Sequence, residues 1–81
     1  MITIYAAKDC IWCLKAKQLA EMLELEHEYK PIEFYMAEFR SKFPNETAVP
    51  QIIWDERHLN GYDMFAEAIN SYIEMMEKKD D

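Results

Sequence analysis

The chain has 81 residues, 51% of them hydrophobic and 14% aromatic, with one glycine and three prolines: the composition of one folded domain with a single core. Its formal net charge of -7 argues against nucleic acid as a partner. No stretch approaches the roughly 18 apolar residues of a membrane span. "MITIYAAKDC" enters a strand pattern without a basic leader, so the expectation is a cytoplasmic protein without a membrane partner.

Taken in chain order, residues 2–7 (ITIYAA) are β-branched and aromatic and predict a first strand. Residues 11–25 are rich in helix formers. At 100° per residue, Cys13, Ala16, Leu19, Ala20 and Leu23 share one side, opposite Lys17, Gln18, Glu21 and Glu24. This geometry puts Cys13 on the buried stripe and Cys10 at the helix entrance. Residues 28–34 (EYKPIEF) predict a second strand, and Pro31, which has no N–H to donate, assigns it to a sheet edge. A short helix follows over 35–43, with Met36, Phe39 and Phe43 on one face and Pro44 as its stop. Residues 50–54 (PQIIW) and 57–59 (RHL) predict a close pair of strands, and Asn60-Gly61 breaks the pattern. The last helix presents Phe65, Ala68, Ile69, Tyr72, Ile73 and Met76 on a common face, with its aromatics and methionines read as core. The order β-α-β-α-β-β-α implies a parallel pair of strands and an antiparallel hairpin in one mixed sheet. It also sets the start of the first helix at the carboxyl end of the first strand, where open α/β sheets bind ligands.

The only two cysteines, Cys10 and Cys13, stand in one Cys-x-x-Cys tetrapeptide. A structural zinc site needs four ligands, usually from two close pairs; here there is one pair, and the only histidines, His27 and His58, lie far apart in sequence. An iron–sulfur cluster shared between two chains stays open, each chain lending a thiolate. As a structural staple so short a loop would add little, because chain-closure stabilisation grows with loop length. The redox reading uses more of the chain. A helix beginning between the cysteines gives Cys10 unpaired backbone N–H groups and the positive end of the helix dipole, both of which favour thiolate over thiol. Such settings lower a cysteine pKa from about 8.5 to roughly 3.5–7.5. Residues 1–20 hold Lys8, Lys15 and Lys17 against Asp9 alone, a basic neighbourhood in an acidic protein. Cys10 is then the nucleophile and the sheltered Cys13 the resolving thiol.

With "KDCIWCLKAK", "TAVPQIIWDERHLNGYDMF" and the single small domain in view, the chain resembles the glutaredoxins over nearly its whole length. The resemblance implies an α/β, thioredoxin-like fold: a four-stranded mixed sheet flanked by three helices, in a glutaredoxin-like domain over 1–77 with a short charged tail at 78–81. It implies a cis bond between Val49 and Pro50, which would bring the Val49 backbone opposite Cys10 to pair in strand fashion with a bound cysteine. It implies a groove for glutathione or substrate that draws on Lys8, Trp12, Val49, Pro50, Tyr62 and Asp63. Trp12 forms a wall where tyrosine is usual, and the helix start at Tyr62 and Asp63 receives the γ-glutamyl carboxylate. Ile11 stands where the family's proline is usual, Ala48 in place of a threonine and Asn60 in place of a glycine. Met64 occupies the place of a second aspartate that pairs with the γ-glutamyl amine.

The activity the resemblance implies is that of a glutathione-linked dithiol–disulfide oxidoreductase, reducing protein disulfides and glutathione mixed disulfides. Glutathione is then a co-substrate, with no permanently bound cofactor and no metal. Partners are glutathione and disulfide-containing proteins such as ribonucleotide reductase, and the chain is expected to be a monomer. Two alternatives accompany this reading. One is a redoxin reduced by thioredoxin reductase, against which the Trp-Ser-Gly-Phe motif is missing from "LNGYDMF". The other is the carrier of an iron–sulfur cluster shared between two chains, against which the resolving Cys13 speaks.

Overall fold

The computed structural model describes residues 1–79. Seven elements follow one another: β1 (Ile2–Ala6), α1 (Ile11–Met22), β2 (His27–Pro31), α2 (Met36–Lys42), β3 (Gln51–Trp54), β4 (Arg57–Asn60) and α3 (Tyr62–Lys79). The sheet runs β2-β1-β3-β4. β1 and β2 are parallel, with Ile4 beside Tyr29, while β1–β3 and β3–β4 are antiparallel, with Ile4 beside Ile52 and Ile52 beside Leu59. This is the mixed sheet the element order predicts, and β2, carrying Pro31, takes an edge.

Alternation along the strands sends side chains to two different cores. Ile2, Ile4 and Ala6 of β1, with Ile52 and Leu59, meet α1 and α3 on one face. Tyr5 points the other way, to Phe39 and Phe43 of the α2 side, with Ile53 packed against them. Val49 touches both clusters, so its position is set from both sides of the sheet.

Several predicted boundaries move, each for a local reason. α1 stops at Met22, short of residue 25. Glu24 adopts a left-handed φ of 54°, and the Leu25 N–H donates to the Ala20 carbonyl at 2.9 Å, closing the helix in the manner usually assigned to glycine. β2 spans His27–Pro31 instead of 28–34, because turns follow at once: the Phe34 N–H donates to Pro31 O and the Tyr35 N–H to Ile32 O. Phe34 is exposed, and Met36 does not join Phe39 and Phe43 in the core. In α3 every side chain from Glu74 to Glu77 is exposed, so Met76 leaves the predicted apolar face, and Met64 and Met75 are likewise exposed and not core. The helix itself continues through Lys79, into the segment 78–81 read as a tail; Asp80 and Asp81 lie outside the described residues. Among the described residues no helix is long and apolar enough to cross a membrane.

Candidate active site

The chain leaves β1 through Ala7 and Lys8 and turns at Asp9, whose φ of 60° lies in the left-handed region that aspartate tolerates better than most residues. That turn delivers Cys10 to the N-cap of α1 in extended geometry, φ -97° and ψ 108°. Its Sγ accepts the Cys13 backbone N–H at 3.3 Å, so a sulfur takes the place that serine or aspartate oxygen ordinarily fills. No carboxylate lies in the first turn of α1 to compete for the positive end of its dipole.

Cys10 and Cys13 are joined as a disulfide with their Cα atoms 5.3 Å apart. The two sulfurs are unequally placed: Cys13 is fully buried among the α1–α3 core residues, whereas Cys10 is half-buried at the edge of that cluster. The pair is thus one reachable sulfur backed by one sealed sulfur. Among the described residues no group of three or more His, Cys, Asp or Glu side chains gathers as a metal ion would require.

Beside the pair lies an open groove of about 380 Å³, lined by Trp12, Val49, Pro50, Asn60, Gly61, Tyr62 and Asp63. Five of the residues singled out from the sequence therefore meet at one place: Trp12, Val49, Pro50, Tyr62 and Asp63. Lys8 does not line it; it is exposed in the turn before Cys10. The Trp12 and Tyr62 rings pack 5.4 Å apart and join the start of α1 to the start of α3. The Val49–Pro50 peptide bond is cis, and the Pro50 carbonyl accepts the Gly61 N–H at 3.1 Å, linking the two loops that form the groove walls.

Gly61 is the residue that opens α3. Its φ of +91° suits glycine, although an added Cβ would meet nothing within 4 Å, so the demand is on the backbone rather than on space. Its carbonyl accepts the Phe65 N–H at 3.3 Å, the first bond of the helix. The N–H groups of Tyr62 and Asp63, two residues that line the groove, consequently have no partner within the helix. Asp63 lies inside the first turn and is not the capping residue.

Three groups were not legible as site residues. Lys15 holds its Nζ 4.5 Å from the Trp12 ring centre, a cation–π contact that the i, i+3 spacing on a helix allows. Asn60 lines the groove itself. Gln51, next to Pro50, is a fully buried polar side chain in an otherwise apolar strand. Met64, by contrast, lines a separate depression with Arg57, Leu59 and Glu67. A larger groove of about 440 Å³, between Trp54 and Tyr72, belongs to the opposite end of β1, where Trp54 pairs with Ile2, away from the disulfide.

The titratable groups shifted by a charged partner lie on the α2 side; on the α1–α3 side burial alone pushes the Tyr29 hydroxyl up. Glu38 accepts hydrogen bonds from Lys30 Nζ at 2.9 Å and Tyr5 Oη at 2.7 Å, which hold its carboxyl below the usual glutamate value. Burial, then the same carboxylate, pushes the Tyr5 hydroxyl upward, and the Lys30 ammonium is raised chiefly by its bond to Glu38.

Neither a protein-family model nor a curated protein sequence matches the chain. Solved structures do. Reduced Escherichia coli glutaredoxin is 30% identical with a TM-score of 0.74, over 90% of this chain and 96% of that one. Glutaredoxin 1 from Francisella tularensis, complexed with cacodylate, has a TM-score of 0.74 at 21% identity over 90% of this chain and 95% of its own. The glutaredoxin-like NrdH-redoxin from Escherichia coli has a TM-score of 0.67 at 23% identity, over 82% and 91%. The likeness to these last two is one of fold, whereas the first adds sequence to it. With a redox-ready Cys-x-x-Cys pair at the helix start where such a fold carries its chemistry, the chain belongs to the glutaredoxin family and is a thiol–disulfide oxidoreductase.

Proposed function

We propose that the protein reduces protein disulfides and glutathione mixed disulfides, with glutathione as the electron donor. The observation that carries the division of labour is the asymmetry of the pair: Cys10 Sγ meets a helix N–H at 3.3 Å, and Cys13 is fully buried. In the reduced enzyme the Cys10 thiolate attacks one sulfur of a substrate disulfide. A Cys10–substrate disulfide forms, and the other substrate sulfur leaves as a thiolate that takes up a proton. Cys13, deprotonated, then attacks the Cys10 sulfur, expels the second substrate thiolate and leaves the Cys10–Cys13 disulfide. Two glutathione thiols return the two electrons and become glutathione disulfide.

Support for glutathione comes from the groove. The free N–H groups at the start of α3 suit a carboxylate. The Val49 backbone beside Pro50 offers strand-like pairing to a cysteine residue, and Trp12 with Tyr62 supplies an apolar wall.

The test is turnover of two substrates, a glutathione mixed disulfide and a protein disulfide, by the wild type and two variants. Cys10→Ser is expected to reduce neither. Cys13→Ser is expected to lose protein-disulfide reduction yet keep mixed-disulfide turnover, because glutathione itself can displace glutathione from Cys10. Equal loss of both activities in Cys13→Ser would contradict these roles. Reduction driven by thioredoxin reductase, with glutathione inert, would contradict the donor.

A further inference from the structure

We infer that Gln51 is a positioning residue for the groove, tying its two walls together from behind. Gln51 is fully buried, and its amide Nε2 donates both to the Ala48 carbonyl at 3.0 Å and to Asn60 Oδ1 at 2.8 Å. Ala48 belongs to the loop that presents Val49 and Pro50; Asn60 ends β4 and leads directly into Gly61 and Tyr62. One amide group thus grips both sides of the cavity, parallel to the bond from Gly61 N–H to Pro50 O.

The orientation of this amide follows from its neighbours. A carbonyl can only accept, so the atom facing Ala48 is the NH₂ group, and Oε1 faces His58 Nε2 at 2.6 Å. His58 therefore donates through Nε2, and its ring is held against Phe43 at 4.6 Å between centres. At the other end Asn60 Nδ2 donates to the Glu46 carboxylate at 3.3 Å, which fixes the Asn60 amide in the same sense. The chain of donors runs His58 to Gln51 to Asn60 to Glu46 without a conflict. None of these residues reaches the sulfurs through these bonds, so their effect falls on ligand geometry and not on the exchange step.

The Gln51 amide is fully buried, so its own bonds are costly to leave unmade, whereas the exposed His58 and Asn60 can turn to water. Gln51→Met keeps length and bulk but strips every bond, so the Ala48 carbonyl and the Asn60 amide are no longer tied to one another. The ligand part of this inference rests on the glutathione reading above; the coupling of the walls does not. Two measurements separate them, each made against Ile53→Val, a control on the same strand face that lowers stability at a residue outside the groove lining and the amide network.

The first is hydrogen exchange of the Gly61 amide in the oxidised, ligand-free protein. Gln51→Met is expected to speed it by roughly threefold to tenfold beyond the control, the loss expected for about one hydrogen bond. The second is steady-state reduction of the mixed disulfide between glutathione and 2-mercaptoethanol, run well below the unfolding temperature. KM is expected to rise by a similar factor while kcat stays put. Asn60→Ala, at an exposed residue, should give part of the Gly61 effect and add nothing to it in combination with Gln51→Met. If Gly61 exchange and KM in Gln51→Met merely follow Ile53→Val, Gln51 is ordinary core and the inference fails. If wild-type turnover shows no dependence on glutathione, the proposed function falls, and the Gly61 amide alone still decides whether the walls are coupled.

Discussion

On the α1–α3 face of the sheet, Ile2, Ile4, Ile52, Leu59, Phe65 and Ile69 meet without a polar side chain in their cluster. On the α2 face, a smaller cluster of Tyr5, Phe39 and Phe43 is flanked by two polar systems. One is Tyr5–Glu38–Lys30, the other His58–Gln51–Asn60. The difference separates two tasks. Cys13 is sealed in the face whose buried cluster contains no Asp, Glu, Lys, Arg or His side chain, so its environment is set by packing. The groove walls are held from the face where hydrogen bonds set direction. Packing can bury a sulfur, but it has no directional preference with which to aim a loop.

Cutting into each core is the strongest way to break this comparison. Phe65 is fully buried beneath the start of α3, and Phe65→Ala is expected to cost about 3–5 kcal/mol. For a domain whose stability is of order 5–15 kcal/mol that is a large share. Phe43→Ala, at the margin of the thinner cluster, should cost nearer to about 3 kcal/mol, since a site beside solvent collapses or hydrates more readily. Urea unfolding followed by far-ultraviolet circular dichroism measures both. A larger loss from Phe43→Ala would reverse the ranking of the two faces.

A charge change sharpens the contrast, because the shifted carboxylate and ammonium lie on the α2 side, whereas the shifted group on the other face is the Tyr29 hydroxyl, raised by burial alone. The Glu38 carboxyl is held below 4.5 by Lys30 first and Tyr5 second. A lowered folded-state value means that the unfolded chain binds more protons in that window, so stability rises with pH through it. The contribution is complete above 4.5 and is lost as pH falls through the lower folded value. Glu38→Gln retains an oxygen for Tyr5 and Lys30 but has no proton to gain. The variant should therefore be less stable than wild type at neutral pH, and the two unfolding midpoints should converge as acid is added. Lys30, raised mainly by the same carboxylate, predicts a second convergence above 10.5. A gap that stays constant with pH would show that the carboxylate charge plays no part. A comparable acid effect from Phe65→Ala would erase the distinction between the faces.

Element order and the cysteine pair were legible because they rest on period and spacing. The alternation of Ile2, Ile4 and Ala6 selects a strand face, and Cys13 falls on the helix stripe with Ala16 and Ala20, all buried. Pro31 assigns β2 to the edge by its missing donor. Boundaries were less legible wherever a residue without a breaker's reputation did the breaking. Glu24 ends α1 in a conformation that glycine usually signals, so nothing in "LELE" announces the stop. In α3 the apolar spacing continues to Met76 after the packed surface has run out, and periodicity carries no information about where a partner ends. Gln51 was hidden for another reason. Its importance lies in partners three and nine residues away that only the hairpin and the Pro50 loop bring together. Lys8, prominent in sequence for its charge, stands apart from the groove, while Lys15, one helical turn beyond Trp12, covers the tryptophan ring.

The smallest expected effect concerns the rim of the groove. Met64 follows Asp63 in the first turn of α3, is 44% exposed, and lines the neighbouring depression instead of the groove. An aspartate there would face solvent as much as ligand, so any ion pair with the glutathione amine falls in the range of exposed pairs, about 0.2–1 kcal/mol. Met64→Asp should accordingly lower KM for glutathione by no more than about fivefold, leave kcat unchanged, and lose its effect in roughly 1 M salt, where charges are screened within about 3 Å. The added carboxylate also lies near the unpaired N–H groups that we assign to the ligand carboxylate, and it competes with that carboxylate. A rise in KM would mean that this competition outweighs the amine contact, and that the start of α3 is the stronger half of the glutathione site. A fall far beyond fivefold would place the amine in a desolvated position, and the groove would have to close over its ligand in a way the open cavity beside Trp12 does not.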